Sequence, residues 1–247
     1  MAAAVQHLEG LLRARKLDST LLRRGQFDPA PRVRTTGTAA LDDALRGGWR
    51  QGEISEVVGG RSSGRTTTMM RTLAAATAQG GIVGVVDTLD RFDPASASAA
   101  GVDLARVLWV RGPTCTPEMA RPAVIDLALH QAIRAFDLLV RAGGFSVIVL
   151  DLADVPSLFL RALPATTWMR LARANESHDT VCLILASAPV TRSAGGVSLR
   201  LEARSVWTGD RAQSRRLGGL VLKATLGQSR LGVDRLPDWT LGQVRSA

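Results

Sequence analysis

The chain has 247 residues, 46% of them hydrophobic, which is enough for one sizeable α/β domain with small appendages. Its 31 lysine and arginine residues outnumber its 22 acidic residues, so the net charge is +9. The two isolated cysteines exclude a disulfide framework and a cysteine-based zinc site. The excess positive charge favours a polyanion or an acidic protein as partner, with a merely solvated basic surface as the alternative.

Other functional classes are excluded by what the sequence lacks. No run approaches the roughly 18 apolar residues of a membrane span, and the N-terminus lacks the layout of a signal peptide. We therefore predict a soluble, cytoplasmic protein with no membrane contact. His7, His130 and His178 lack the spacing of a metal site or of a nucleophile and its base, so we predict no catalytic residue and no metal site.

The first predicted element is an amphipathic helix at residues 4–17, followed by a linker that contains two closely spaced prolines. The helix is a candidate docking element for a neighbouring subunit, a partner protein or its own domain. We divide the chain into this helix and linker (1–34), a core (35–226) and a C-terminal tail (227–247). The apolar face of the helix contains Val5, Leu8, Leu11 and Leu12.

A glycine-rich stretch at 59–67 is the main functional motif. It follows an apolar run at 54–58 that predicts a buried strand, and it precedes a predicted helix at 68–76. This context is typical of a phosphate-binding loop of pattern G-x-x-x-x-G-K-[ST], whose backbone N–H groups surround an anion. The residues that carry the motif are Gly59, Gly64, Thr66 and the adjacent Thr67, with Arg65 in the position of the lysine.

Arginine does not substitute neutrally for that lysine. The lysine acts as a compact point charge on the phosphates, whereas a guanidinium is larger, planar and forked. Three interpretations stay open from the residues alone: a glycine-rich turn without nucleotide, ATP binding without useful turnover, and an active ATPase.

Strands and helices alternate through the rest of the core, which predicts a mostly parallel sheet. After the predicted strand at 180–187 the pattern changes: apolar and polar residues alternate at 197–204, and this predicts half-exposed, antiparallel edge strands. The remaining predicted elements are a short helix at 36–45, buried strands at 82–87, 107–110, 145–151 and 180–187, a long helix at 117–142, a helical region at 157–174 that Pro164 interrupts, and a second edge strand at 219–225.

The C-terminal third is the most basic part of the chain. Such a surface suits sequence-independent contacts with DNA phosphates, and Trp207 and Trp239 could stack on bases or lie in the core. Docking of a partner protein and a merely solvated face stay open as alternatives. The basic residues are Arg192, Arg200, Arg204, Arg211, Arg215, Arg216, Lys223, Arg230 and Arg235.

Three blocks of sequence, in this order and spacing, resemble the RecA/KaiC-type recombinase fold over roughly residues 35–225. They are TGTAALDDALRGGWRQGEISEVVGGRSSGRTT, VVDTLDRFDPASASAAGVDLARVLWVRG and FSVIVLDLADV. The resemblance implies a RecA-like P-loop core of the α/β class with an N-terminal helix and antiparallel C-terminal edge strands. It also implies that Asp151 is the strand-end acid that helps to hold Mg²⁺ beside bound ATP.

Several positions depart from the recombinase pattern. Leu89 stands where the family has the acid that activates the attacking water, and Ser187 and Ala188 stand where it has an amide that senses the γ-phosphate. The stretches that match the two DNA-binding loops are also short. Together with Arg65, these changes predict a degenerate ATPase that is not an enzyme and that binds ATP and Mg²⁺ weakly at most.

Within this superfamily the chain resembles ImuA-type proteins, which are short RecA relatives of bacterial damage-induced mutagenesis. That resemblance implies an accessory role in the SOS response, in which the protein supports ImuB and an error-prone C-family DNA polymerase in translesion synthesis and binds or modulates RecA. DNA binding and self-association are further expectations. The alternatives are a SulA-type cell-division inhibitor and a weak DNA-dependent ATPase.

Overall fold

A computed structural model describes residues 32–115, 121–191, 195–209, 216–227 and 239–243. The chain divides into two compact units, residues 1–32 and 33–247, and the account below concerns the second. The predicted N-terminal helix, with Val5, Leu8, Leu11 and Leu12, lies outside the described residues. Within the described ranges, no helix has the length and hydropathy that crossing a bilayer would require.

The elements alternate as the sequence predicts. The strands are β1 (Val33–Arg34), β2 (Trp49–Arg50), β3 (Ile54–Val58), β4 (Val83–Asp87), β5 (Val107–Arg111), β6 (Val147–Asp151), β7 (Val181–Ala186), β8 (Gly195–Thr208), β9 (Arg216–Leu226) and β10 (Trp239–Gln243). The helices are α1 (Ala39–Ala44), α2 (Arg65–Ala78), α3 (Pro94–Ala99), α4 (Pro122–Ala142), α5 (Ser157–Ala162) and α6 (Ala165–Asn175), with a 3₁₀ turn at Leu104–Arg106.

The main sheet has eight strands in the order β10-β9-β8-β3-β7-β6-β4-β5. The six strands from β8 to β5 are mutually parallel, and β9 is antiparallel to both β8 and β10. This confirms the predicted α/β class with a mostly parallel sheet and antiparallel strands at the C-terminal edge. One detail differs: β8 pairs in parallel with β3, so the antiparallel part begins only between β8 and β9.

The burial of each strand follows its hydrophobic pattern. Every residue of β3, β4 and β7 is buried, as expected for apolar runs covered on both faces. In β8 the buried Val197, Leu199 and Leu201 alternate with the exposed Arg200 and Arg204, so one face of this strand remains open to solvent.

Helices cover the sheet on both faces. One core cluster joins α1 and α2 to the sheet, and a second joins it to α4, α5 and α6. Pro164 separates α5 from α6, as its missing N–H predicts. Helix α3 is not among the predicted elements, although Asp93 caps it and Pro94 opens it. Helix α4 packs on the sheet through apolar residues at helical spacing, all of them buried, namely Ile125, Ala128, Leu129, Ile133, Phe136 and Val140.

Candidate phosphate-binding site

The glycine-rich loop lies between β3 and α2 and is fixed by close packing. Gly64 precedes the helix with a φ of 93°, and a Cβ atom there would lie 2.9 Å from the Leu222 side chain. A Cβ atom on Gly59 would lie 2.5 Å from the carbonyl oxygen of Leu201. Both glycines are therefore required by the adjacent C-terminal strands, whether or not the loop binds phosphate.

The loop nevertheless keeps groups that suit an anion. The N-terminus of the 14-residue helix α2 provides unpaired N–H groups and the positive end of its dipole. Thr66 and Thr67 are exposed in its first turn. Ser63 is only 5% exposed, and within the described part of the chain its hydroxyl has no hydrogen-bond partner. A buried polar group without a partner is costly, and a bound oxyanion is one way to satisfy it.

Arg65 extends from the loop towards the end of β6. Its side chain is buried, and Nη1 donates a hydrogen bond to the Ala153 carbonyl at 3.3 Å. Burial lowers the pKa of the guanidinium, while the charges of Asp151 and Asp154 raise it. An arginine remains charged in such a setting, so a fixed cation lies beside the strand-end acid.

Asp151 ends β6 and faces this cation. Burial raises the pKa of its carboxyl group to about 6. The N–H of Ala153, which donates to Oδ1 at 2.9 Å, opposes the rise, as does the charge of Arg65. Asp154 lies 3.4 Å from Nε of Arg91. Asp151 is therefore an acid whose negative charge is only partly compensated, and a further cation would stabilise it.

The turn after β4 is organised by Asp87, a role that the sequence did not reveal. Its buried carboxylate accepts hydrogen bonds from the N–H groups of Arg91 at 2.8 Å and Phe92 at 2.7 Å, and from Trp109 Nε1 at 3.2 Å. Leu89, which the sequence analysis matches to the family's water-activating acid, is 2% exposed and packs in the second core cluster. No carboxylate occupies this position.

The carboxylate of Asp90, the next acid along the chain, is occupied by bonds to other side chains. Its carboxylate accepts two hydrogen bonds from Arg111, each of 2.9 Å, and one from Thr114. These bonds lower the pKa of Asp90 to about 2. The guanidinium of Arg111 also lies 4.4 Å from the centre of the Trp109 ring. Asp90 therefore belongs to a surface cluster with Arg111 and Trp109.

The loop, the turn and the end of β6 enclose a cleft of about 410 Å³. Its charged side chains balance, with three arginines against three aspartates, so a highly charged phosphate gains no net electrostatic attraction from the lining alone. Oxygen atoms suitable as Mg²⁺ ligands are present in Thr66 and in Asp151, the acid that the resemblance implies. The charged residues of the lining are Arg61, Arg65, Arg91, Asp93, Asp151 and Asp154.

Four of the predicted basic residues fall within the described strands. Arg200 and Arg204 are four positions apart on β8, so they lie on one face of the β8–β9 ribbon. Arg216 pairs opposite Thr208 at the end of this ribbon, beyond a register shift between Val206 and Trp207. Lys223 lies on the same face and is 3.9 Å from Glu202. Trp207 is 49% exposed. The remaining predicted basic residues, Arg192, Arg211, Arg215, Arg230 and Arg235, lie outside the described part of the chain.

Glu56 is a buried carboxylate that the sequence reading overlooked, although a charged residue in the run ISEVV was a visible signal. It lies in the middle of β3 and is 2% exposed. Its oxygens accept hydrogen bonds from the N–H groups of Val190 at 2.9 Å and Thr191 at 3.0 Å, and from the Ser198 hydroxyl at 2.6 Å. Glu56 thereby attaches the segment that follows β7, which contains Ser187 and Ala188, to the sheet.

Comparison with known proteins gives one consistent match. The RecA N-terminal domain model matches residues 19–161. The chain is also similar to Protein RecA of Brucella canis, Brucella suis and Brucella abortus, at 36% identity over 135 residues in each case. These alignments cover 53% of this chain and 34% of each RecA sequence, so the chain spans about a third of the length of the curated relatives that it matches.

Proposed function

The chain belongs to the RecA N-terminal domain family, and on this basis we propose that it is a RecA-like accessory protein of the bacterial DNA-damage response that does not hydrolyse ATP. In this proposal it supports ImuB and an error-prone C-family DNA polymerase in translesion synthesis, and it binds or modulates RecA. The RecA-like core supplies the docking geometry, and the exposed basic face of β8 and β9 supplies contacts with DNA or with an acidic protein.

The buried Leu89 is the observation that carries the non-catalytic part of the proposal. A general base must lie within hydrogen-bond reach of the water that it activates. Leu89 has no polar side-chain atom, Asp87 accepts hydrogen bonds from three donors, and Asp90 is paired with Arg111. The acids around this turn are thus engaged in holding its structure.

Weak binding of ATP with Mg²⁺ is compatible with this role. The loop N–H groups would contact phosphate oxygens, and Thr66 and Asp151 would hold the metal, which would neutralise charge on the phosphates. Arg65 would contact the phosphates as a forked donor, and its bond to the Ala153 carbonyl would have to be exchanged for them. We expect the affinity for ATP to be low, because the arginines and aspartates that line the cleft balance each other in charge.

Hydrolysis can be tested on the full chain with Mg²⁺, ATP and single-stranded DNA. We expect no turnover above background, and we expect Asp151→Ala to change nothing. Turnover that DNA stimulates and that Asp151→Ala abolishes would instead identify a weak DNA-dependent ATPase.

The partner assignment needs a separate measurement with purified proteins. We expect the immobilised full chain to bind RecA, ImuB or the error-prone polymerase from the same organism, and we expect Arg200→Glu with Arg204→Glu to weaken at least one of these contacts. Binding of the tubulin-like division protein and none of the three would favour a SulA-type division inhibitor.

A further inference from the structure

The side chain of Arg65 connects the phosphate loop with the end of β6. Its backbone forms the first residue of α2, at the positive end of the helix dipole. Its Nη1 atom donates a hydrogen bond to the carbonyl oxygen of Ala153, two residues beyond the end of β6. The arginine is only 7% exposed. The guanidinium is therefore held inside the cleft and does not extend into bulk solvent.

The turn after β6 holds this guanidinium beside an acid. The carbonyl of Ala153 accepts the bond from Arg65, and the N–H of the same residue donates to Oδ1 of Asp151 at 2.9 Å. Burial lowers the pKa of Arg65, whereas the charges of Asp151 and Asp154 raise it, and an arginine keeps its proton in such surroundings. A permanent positive charge thus lies next to the acid that the family resemblance implies as a holder of Mg²⁺.

The other acids of the cleft are also engaged by protein groups. Asp93 caps α3, where its carboxylate accepts hydrogen bonds from the N–H groups of Ala95 at 3.3 Å and Ser96 at 3.0 Å. Asp154 lies 3.4 Å from Nε of Arg91. Each of the three acids that line the cleft, as far as the structure describes it, thus has a partner within the protein.

In nucleotide sites of this class, Mg²⁺ neutralises phosphate charge and is itself attracted by the strand-end acid. Arg65 offers the same two interactions from within the chain, because its charge compensates Asp151 and its planar fork matches two phosphate oxygens. Arg65 would also repel a divalent cation that approached Asp151, because like charges at close range interact strongly in a partly buried cleft. The arginine and the metal therefore compete for the same acid.

We propose that Arg65 replaces the divalent cation of this cleft, so that ATP and other polyphosphates bind through their phosphates equally well with and without Mg²⁺. Arg65 exchanges its bond to the Ala153 carbonyl for bonds to phosphate oxygens, and its charge offsets part of theirs. The resemblance to recombinases implies the opposite arrangement, in which Asp151 helps to hold Mg²⁺ beside bound ATP. This step rests on the weak nucleotide binding proposed above, and it makes Mg²⁺ dispensable for that binding.

The test measures binding of a ribose-labelled fluorescent ATP to the full chain by anisotropy, once with EDTA and once with excess Mg²⁺. We expect the two dissociation constants of the natural chain to agree within about threefold. Arg65→Lys should bind the probe at least about tenfold more tightly with Mg²⁺ than with EDTA, because a compact ammonium leaves Asp151 to the metal. The matched control is Arg61→Lys, an exposed arginine of the same loop and cleft, for which we expect the ratio of the natural chain.

Asp151→Asn provides a second measurement, which does not depend on the folding of Arg65→Lys. In the natural background it should not weaken binding of the probe with Mg²⁺, because Asp151 faces Arg65 and does not need to hold a metal. In the Arg65→Lys background it should abolish the gain from Mg²⁺. Circular dichroism checks that every variant is folded.

Three results would overturn the proposal and leave weak nucleotide binding intact. They are a natural chain that Mg²⁺ strengthens by about tenfold or more, a ratio that Arg65→Lys leaves unchanged, and weaker binding of the probe with Mg²⁺ in Asp151→Asn. Absence of binding under both conditions would overturn it together with the weak nucleotide binding. The accessory role is tested separately, by the binding of purified partner proteins.

Discussion

The phosphate loop and the turn after β4 lie at the same end of the parallel sheet, yet different contacts determine their structures. The loop depends on backbone packing, because Cβ atoms on Gly59 and Gly64 would lie too close to Leu201 and Leu222. The turn depends on one buried carboxylate, because Asp87 accepts hydrogen bonds from its backbone while Leu89 packs in the core. The loop therefore tolerates changes of exposed side chains, whereas the turn requires a particular one.

The largest expected effect tests whether packing alone requires the loop glycines. Gly59→Ala places a Cβ atom 2.5 Å from a backbone carbonyl oxygen, so we expect the free energy of unfolding to fall by about 3 kcal/mol. Gly60→Ala is the matched control, because no atom lies within 4 Å of its added Cβ, and we expect a change of about 0.5 kcal/mol or less. Denaturant unfolding without nucleotide measures both. Equal losses in the two variants would contradict the packing explanation.

The next effect concerns Glu56, which joins β3 to the segment after β7. Glu56→Gln keeps the shape but replaces a charged acceptor with an amide, so some of the bonds to Val190, Thr191 and Ser198 weaken. We expect a loss of about 2 kcal/mol and faster hydrogen exchange at residues 188–191. Glu202→Gln, an exposed partner of Lys223, is the control and should change stability by about 0.5 kcal/mol or less. Unchanged exchange in Glu56→Gln would show that the segment is held by other contacts.

A smaller effect concerns the pH dependence of stability, to which Asp151 in the cleft and Asp90 in the surface cluster contribute with opposite signs. The pKa of Asp151 is raised from 3.8 to about 6, so the folded state binds its proton before the unfolded state does, and stability should rise as pH falls from about 6 towards 4. We expect a gain of about 1–2 kcal/mol after allowance for solvent screening. Asp90, with its pKa lowered to about 2, behaves oppositely: its contribution is lost as pH falls below about 4.

The variant Asp151→Asn distinguishes the contribution of Asp151 to stability from that of Asp90. The variant should be more stable than the natural chain near neutral pH and should lack the rise between about pH 6 and 4. Urea unfolding across this range provides the measurement. A natural chain whose stability falls steadily from neutral pH would show that Asp151 is better compensated than its burial suggests.

We expect the smallest effect on stability from substitutions in the exposed basic face of β8 and β9. We expect Arg200→Glu with Arg204→Glu to change the free energy of unfolding by about 0.5 kcal/mol or less, because both side chains are solvent-exposed. If this face contacts DNA phosphates, the slope of the logarithm of affinity against the logarithm of salt concentration should fall by about 1–2 for single strands. An unchanged slope would indicate that this face does not contact DNA phosphates and would favour binding of a protein partner.

Local pattern was sufficient to predict most of the fold. Continuous apolar runs predicted β3, β4 and β7, and Pro164 predicted the break between α5 and α6. The parallel pairing of β8 with β3 was not predictable in this way, because it joins residues about 140 positions apart. A polar alternating strand gives no signal of the direction of its neighbour.

The candidate site was predicted only in outline. The motif identified the loop and the family resemblance implied Asp151, but the partners of Glu56 lie 134–142 residues away, and those of Asp87 depend on how the following turn folds. The orientation of Arg65 towards Ala153, 88 residues further along, likewise results from tertiary structure. A side chain's partners over such distances are set by the completed sheet.

The position of β3 in the sheet has a consequence for biosynthesis. Its two neighbours, β7 and β8, are both encoded more than 120 residues downstream. At about 5–20 residues per second, the ribosome needs roughly 7–30 s after β3 to supply β8. The strand that leads into the phosphate loop therefore emerges long before either pairing edge exists, and its apolar residues lack their strand partners until β7 and β8 have been synthesised.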